Sequence, residues 1–208
     1  MGASRAGEYP SQYQRPLAIG NQIEIIAEAF SLDPRPALAL VNQPMHIPEG
    51  AEGLFAIARY DKVGPSYGSA VERAWQKLEE RSMIKISKRV MDADLLKQRE
   101  RSYRAFLAIV DRYVVHDCDI LIVPAQFGLR HAAKSVARVR QAMRSSDREF
   151  GLGVFDVACM ALTNPERFAT SHTLDVDMPG DDYGSNDSRP SGQDLAITMG
   201  VIGGRIVI

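Results

Sequence analysis

Long apolar runs and paired cysteines are both missing from this chain of 208 residues. No stretch approaches the roughly 18 consecutive apolar residues of a membrane-spanning helix, and residues 1–16 contain no apolar segment of the kind that signal peptides carry. The cysteines, Cys118 and Cys159, form neither a C-x-x-C motif nor a disulfide framework. These absences predict a cytoplasmic protein without a membrane span.

The chain also lacks an excess of charge of one sign, because it contains 25 basic and 26 acidic residues. Such a chain has no overall field to attract a polyanion, so any affinity for nucleic acid must come from a local cluster. The hydrophobic content of 45% is ordinary for a globular protein. The length suits one domain, and we expect a disordered tail over 1–16 followed by a globular domain over 17–208.

The spacing of apolar residues predicts both strands and helices. Strands are predicted at 22–30, 37–42, 53–60, 84–87 and 119–124, although the first segment could equally be helical. Helices are predicted at 69–81, about 92–115, 129–146 and 152–162. Gly203 and Gly204, between β-branched residues, predict a terminal hairpin, and 177–194 is predicted to be a mobile polar loop.

These elements favour an α+β fold, with a mixed β-sheet packed by about four helices in a single domain. A mostly α-helical fold is the alternative. The first helix carries Ser69 and Glu72 at the spacing of a capping box, which predicts that it begins at Ser69.

The segment GLRHAAKS, residues 128–135, differs at one position from the phosphate-loop pattern G-x-x-x-x-G-K-[ST]. Ala133 stands where that pattern has glycine, and its Cβ hinders the conformation that points successive amides at a phosphate. Too little chain follows for the usual parallel sheet. We therefore interpret the segment as a strand, a turn and a tightly packed helix.

Basic residues are concentrated between 129 and 148 in an otherwise balanced chain. The six are Arg130, Lys134, Arg138, Arg140, Arg144 and Arg148. On a helix they would occupy a broad arc opposite the apolar face, where they could follow a phosphate backbone or an acidic protein surface. A solvated helix face is the simpler alternative. No aromatic residue accompanies them, so base stacking is not predicted here.

Acidic residues and a histidine are concentrated between 172 and 182. The candidates for a metal site are His172, Asp175, Asp177 and Asp181. Carboxylates are the ligands that Mg²⁺, Mn²⁺ and Ca²⁺ prefer, but the match to a calcium loop is partial because no glutamate closes it. A solvated loop that binds no cofactor is the default interpretation, with a divalent cation as the alternative.

Three segments, VPAQFGLRH, EFGLGVFDVACMALTNPERF and GLFAIARYDKVGPSYGSAVERA, resemble uncharacterised bacterial proteins carried on conjugative plasmids and integrative elements. The resemblance covers about the middle half of the chain. It implies a bacterial cytoplasm and an accessory role in the biology of mobile elements. It assigns no catalytic or binding residue.

Because no coherent catalytic set emerges, we predict a non-enzymatic cytoplasmic binding or adaptor protein. It would be a subunit of a larger bacterial complex and would contact a protein or nucleic-acid partner through the basic helix. The alternative is a metal-dependent hydrolase or transferase that uses the acidic loop at 172–182.

Overall fold

A computed structural model describes residues 13–82, 86–87, 92–114, 116–146, 149–168, 175–184, 197–202 and 205–207. Its α-helices are α1 (Ile19–Phe30), α2 (Arg35–Leu40), α3 (Tyr60–Val63), α4 (Tyr67–Ser82), α5 (Glu100–Val114), α6 (Val136–Arg144) and α7 (Val154–Thr163). Its strands are β1 (Gly53–Ala58), β2 (Ile86–Ser87), β3 (Leu96–Gln98), β4 (Ile120–Ala125), β5 (Val176–Met178), β6 (Asp181–Tyr183), β7 (Ile197–Ile202) and β8 (Arg205–Val207). Short 3₁₀ turns span Ala93–Leu95, Leu129–His131 and Pro165–Phe168.

The centre of the molecule is an antiparallel ribbon of β1 and β4, paired from Gly53 with Ala125 to Ala58 with Ile120. Both strands are rich in buried apolar residues, and α1 and α7 pack against the ribbon. Pro124, which has no amide hydrogen to donate, is an exposed position of β4, as expected on an edge strand. The strands predicted at 53–60 and 119–124 are therefore confirmed.

Helix α7 is buried along its whole length apart from Asp156, and it packs against α4, β1 and α1. Its sequence is apolar on every side, which is the pattern of a helix enclosed by other elements. Asn164 and Pro165 follow its last residue. The prediction of a buried helix at 152–162 is confirmed.

A mixed four-stranded sheet has the order β2-β8-β7-β5. Strands β2 and β8 are parallel, whereas β7 is antiparallel to both β8 and β5. The antiparallel pairing of β7 with β8 confirms the terminal hairpin, although Gly203 and Gly204 lie outside the described residues. With the separate β3–β6 ribbon, these elements make the fold α+β, as predicted.

The two N-terminal segments predicted as strands at 22–30 and 37–42 are helices α1 and α2. In α1 the apolar residues Ile23, Ile26 and Phe30 recur at intervals of three and four, so one helical face is buried. In α2 a proline occupies the first turn, where its missing amide hydrogen costs nothing. Short apolar runs of this length do not distinguish the two structures by themselves.

Two other predicted helices have different bounds. The helix predicted at 92–115 is a 3₁₀ turn followed by β3 and then α5, because Leu96–Gln98 pairs with β6. Helix α4 begins at Tyr67 rather than at Ser69. The hydroxyl of Ser66 accepts a hydrogen bond from the Ser69 amide at 3.1 Å, so Ser66 supplies the cap.

A buried glutamine, Gln22, joins three of the central elements. Its Nε2 donates to the carbonyl oxygens of Leu17 at 2.7 Å and Leu54 at 2.9 Å. Its Oε1 accepts from the Ala56 amide at 3.2 Å and from the Thr163 hydroxyl at 3.3 Å. Because Gln22 is fully buried, its amide needs these partners, and together they fix how α1 and α7 lie on β1.

The chain joins the core earlier than residue 17. Residues 1–12 lie outside the described residues, but Tyr13 is buried and its ring lies edge-on to that of Phe127, with centroids 5.6 Å apart. The Tyr13 hydroxyl also donates to the Glu52 carboxylate at 3.1 Å. The predicted tail boundary at residue 16 is therefore too late.

Candidate functional site

The turn after β4 contains the segment that resembles a phosphate loop. Gly128 has a φ of 103° and Ala133 a φ of 63°, so both residues adopt the left-handed conformation. Glycine accepts this conformation readily, whereas alanine is strained in it. The described neighbour of β4 is the antiparallel β1, not a parallel strand of the kind found in phosphate-loop folds. The geometry fits a turn that redirects the chain.

The helix predicted at 129–146 is not continuous. A 3₁₀ turn over Leu129–His131 is followed by the left-handed Ala133, and α6 begins only at Val136. The Ser135 hydroxyl caps α6 by accepting a hydrogen bond from the Arg138 amide at 3.4 Å. The predicted stripe of cations is therefore divided between a turn and a shorter helix.

Arg140, one of the six predicted partner-binding residues, is only 4% exposed. Its Nε donates to the carbonyl oxygen of Pro179 at 3.2 Å, and its Nη2 donates to that of Asp181 at 2.7 Å. The same Nη2 lies 3.0 Å from the Asp182 carboxylate. Arg140 thus holds α6 against the turn between β5 and β6, so its assignment to a partner surface is corrected.

Arg130 is exposed but engaged within the chain. Its Nη1 donates to the carbonyl oxygen of Glu49 at 2.7 Å and lies 3.0 Å from the Glu149 carboxylate. The Nε2 of His131 lies 3.5 Å from the same carboxylate. Partial burial and the nearby Lys134 ammonium lower the pKa of His131, and Glu149 opposes them. A partner of Arg130 would have to share or displace Glu149.

Three of the predicted cations, Lys134, Arg138 and Arg144, are exposed. The described residues place no carboxylate within ion-pair distance of any of them. Arg138 and Arg144 are six residues apart on α6, which sets their side chains about 120° apart around the helix axis. The two side chains therefore lie on opposite sides of the exposed face of α6 and do not form a single row of cations. Arg148 lies outside the described residues.

A cavity of about 390 Å³ opens beside this surface. Its wall is formed by the turn after β4, by the inner face of α6 and by residues near the start of β5. The larger apolar side chains that line it are Phe127, Leu129, Val136, Val139, Met143, Phe150, Leu152, Val157 and Val176. Its charged side chains are Glu49, Arg130, Lys134, Glu149, Arg167, Asp175 and Asp177.

Arg167 is the fully buried charged side chain among these, with 0% exposure. Its guanidinium carbon lies 5.6 Å from the ring centroid of Phe127 and 5.3 Å from that of Phe168. The faces of aromatic rings attract cations and help to offset the cost of burying one. Sequence reasoning missed this residue because PERF after Asn164 looks like an ordinary helix-ending turn.

The predicted metal ligands that the structure describes differ in burial. Asp175 and Asp177 are exposed, and Asp177 accepts a hydrogen bond from the Thr198 hydroxyl at 2.7 Å. Asp181 is fully buried, and His172 lies outside the described residues. The described part of the chain contains no group of three or more His, Cys, Asp or Glu side chains placed to hold a metal ion. Asp181 is corrected from a metal ligand to a core residue.

Asp181 belongs to a buried polar cluster at the start of α7. Its Oδ2 accepts hydrogen bonds from the Tyr67 hydroxyl at 2.6 Å and from the Val154 amide at 2.7 Å. The nearby Asp156 accepts from the Gly153 amide at 2.9 Å. Desolvation raises the pKa of Asp181 to about 7 and that of Asp156 to about 6. Burial also raises the pKa of Tyr67 well above its usual value.

The two thiols offer no reactive centre. Cys159 is fully buried in α7, and its burial strongly raises its pKa. Burial also raises the pKa of Cys118, with the neighbouring carboxylates Asp117 and Asp119 adding to the effect. Because the thiolate is the nucleophilic form, neither cysteine is poised for covalent chemistry.

Comparison of the chain with protein-family models, with curated protein sequences and with solved structures gives no match. Within the described residues, no helix combines the length and the apolar character needed to cross a membrane. Function is therefore inferred from the residues around α6 and the adjoining cavity.

Proposed function

We propose that this chain is a non-enzymatic binding or adaptor protein of the bacterial cytoplasm, a subunit of a larger complex. Its partner-binding surface, called here the α6 surface, consists of Lys134, Arg138 and Arg144. The observation that carries the proposal is the exposure of these three cations without a described ion pair. Arg59 and Lys62 lie within 4 Å of a carboxylate, and the exposed cations Arg81 and Arg112, which have no described ion pair, belong to two different helices. Exposed positive charge attracts a partner of opposite charge and orients it.

An acidic protein segment fits the α6 surface better than a nucleic acid does. Following a phosphate backbone requires several cations along one line, yet Arg140 is buried and Arg130 is paired with Glu149. The angle between Arg138 and Arg144 also separates their side chains. No aromatic residue occurs between 129 and 146 to stack on a base. Carboxylates on a folded or extended protein partner can reach separated cations individually.

The experiment is affinity capture from a bacterial lysate with three forms of the full chain. The forms are the wild type, the double variant Arg138→Glu/Arg144→Glu and the control Arg81→Glu/Arg112→Glu. The control reverses two exposed cations on α4 and α5, so its change in net charge is the same. Each capture is repeated after nuclease treatment and at high salt.

We expect an acidic protein that the wild type and the control capture and that the α6 variant loses. Its retention should fall with salt and should be unaffected by nuclease, because surface charges are screened by salt. Loss of the partner on nuclease treatment would identify a nucleic-acid bridge and overturn the protein-partner proposal. Equal capture by both double variants would overturn the α6 surface itself.

A further inference from the structure

The outer edge of strand β5 borders the cavity beside α6. Asp175, Val176 and Asp177 all line this cavity, although Val176 is buried and the two aspartates are exposed. Neighbouring residues of a strand point to opposite faces of the sheet, so a space that meets all three residues borders the edge of the strand. The other edge of β5 pairs with β7.

This outer edge has no partner among the described residues. Strand β5 is the last strand in the order β2-β8-β7-β5, and no described backbone group outside β7 bonds to residues 176–178. An unpaired strand edge presents amide hydrogens and carbonyl oxygens in a row, and such a row can pair with an extended peptide. Backbone hydrogen bonds would therefore hold a short extended segment against β5.

The cavity provides space for an apolar side chain of such a segment. Val139 and Met143 on α6 and Val157 on α7 line it and are buried. Its volume is about 390 Å³, within the roughly 300 to 1,000 Å³ that is usual for ligand sites. The residue of an added strand that lies opposite Val176 points to the same buried side of the sheet, so an apolar residue suits this position.

The exposed side of this edge is acidic. The carboxylates of Asp175 and Asp177 have no described cation within ion-pair distance. A second copy of the chain, paired edge to edge through β5, would place the same carboxylates opposite them, and facing like charges destabilise a strand pair. Lysine or arginine at these positions of an added strand would instead form pairs of opposite charge.

The other charges around the cavity do not reverse this preference. Arg130 and Glu149 lie 3.0 Å apart and offset each other. Arg167 is fully buried beside aromatic rings, so its charge does not reach an occupant. Glu49 is exposed and adds a further carboxylate, while the exposed Lys134 belongs to the turn after β4 and not to β5.

We infer that the edge of β5 binds an extended segment of a partner protein in which an apolar residue is flanked by basic residues. The backbone of this segment continues the sheet, and its apolar side chain enters the cavity. Its flanking cations meet Asp175 and Asp177. This inference does not depend on the α6 surface.

Two peptides with blocked ends test the charge preference, with binding to the full chain measured by fluorescence anisotropy. The basic probe is Ser-Lys-Phe-Lys-Val-Ser, and the acidic probe is Ser-Glu-Phe-Glu-Val-Ser. We expect the wild type to bind the basic peptide at least tenfold more tightly than the acidic one. The variant Asp175→Lys/Asp177→Lys should reverse this preference. The control Glu24→Lys/Glu28→Lys, at exposed positions of α1, should keep it.

Methylation of the peptide nitrogens tests strand pairing. Successive amides of an extended chain point to opposite edges, so methylating both lysine amides of the basic peptide blocks one edge. Methylating the phenylalanine and valine amides blocks the other edge. One pattern should weaken binding at least tenfold, whereas the other should leave it nearly unchanged.

A variant and an assembly measurement test the location and the occupant. Val139→Phe narrows the cavity and should weaken binding of the basic peptide at least tenfold. If this variant fails to fold, the charge and methylation series still decide. No binding of either peptide, equal affinity for both, or equal effects of the two methylation patterns would overturn the inference. A stable wild-type dimer in sedimentation that the basic peptide does not dissociate would assign the edge to a second copy and also overturn it.

Discussion

The two faces of α6 use the same residue type for different purposes. On the inner face, Arg140 is buried and bonded to the turn between β5 and β6, so its charge fixes a tertiary contact. On the outer face, Arg138 and Arg144 are exposed, and the described residues place no acid beside them. A guanidinium that is buried with its acceptors is costly to remove, whereas an exposed one contributes little to folding. Spacing alone does not separate these roles, but burial does.

The largest expected effect is the loss of the inner arginine. Arg140→Met removes the donor for the carbonyl oxygens of Pro179 and Asp181 and the cation beside Asp182. Asp182 is 46% exposed and keeps Arg99 at 2.7 Å, so the main cost is the two buried carbonyl oxygens that lose a charged donor. The free energy of unfolding should fall by about 2 to 5 kcal/mol. Urea denaturation measures the change. Arg144→Met is the control on the exposed face, and a similar loss in both variants would remove the distinction between the faces.

The buried carboxyl group of Asp181 should make the free energy of unfolding depend on pH. The pKa of Asp181 is raised from 3.8 to about 7 in the folded protein, so the folded state holds a proton that the unfolded state releases. Its stabilising contribution is complete below pH 3.8 and is lost as the pH rises through about 7. Asp156, with a pKa raised to about 6, acts in the same direction.

Asp181→Asn tests this dependence because the amide oxygen can still accept from Tyr67 and the Val154 amide. Relative to the wild type, the variant should gain roughly 2 to 4 kcal/mol in free energy of unfolding between acidic and mildly alkaline pH. Thermal melting of both proteins across this pH range measures the difference in stability between the variant and the wild type. Asp175→Asn, at an exposed position, should show the same pH dependence of stability as the wild type. A stability difference between Asp181→Asn and the wild type that does not change with pH would contradict the raised pKa of Asp181.

A smaller effect is expected from the Tyr67 hydroxyl. Tyr67→Phe deletes the 2.6 Å hydrogen bond to Asp181 and keeps the ring. The free energy of unfolding should fall by about 1 to 2 kcal/mol, because a buried acceptor loses one of its two donors. Tyr103→Phe, at an exposed ring on α5, is the matched control. If the two variants have the same denaturation midpoint, this hydrogen bond has no structural role.

Some of this architecture was predictable because the local pattern and the tertiary environment agree. The β1–β4 ribbon and α7 consist of apolar residues that are in fact buried, so their existence follows from composition and spacing. Helix α1 is not the strand that the sequence predicts, because its short apolar run fits the period of a helix as well as that of a strand. The local sequence around strand β3 has a helical pattern. Its strand structure depends on pairing with β6, which is more than 80 residues away in the chain.

The candidate site was predicted only in part. A concentration of arginines is visible in the sequence, but the break at Ala133 and the burial of Arg140 depend on contacts with the β5–β6 turn. The cavity depends on how α6, α7 and the turn after β4 pack, and Arg167 carries no sequence signal of its own. Asp177 and Asp181 look alike in the sequence, yet one is exposed and the other is buried.

The smallest expected effect on stability belongs to the outer face. Arg138→Glu/Arg144→Glu should change the free energy of unfolding by no more than about 0.5 kcal/mol, since exposed substitutions far from special features rarely do more. Thermal melting at the pH of the capture experiment measures this. A loss as large as that of Arg140→Met would mean that these side chains also support the fold.

The most direct test of the central claim is the amount of partner retained per folded molecule by Arg138→Glu/Arg144→Glu, measured beside Arg81→Glu/Arg112→Glu in nuclease-treated lysate at low salt. If the exposed face of α6 is the binding surface, the first variant retains at most about a tenth of the partner, the loss expected for about 1.4 kcal/mol, and the second retains nearly all of it. Equal retention by the two variants would contradict the account.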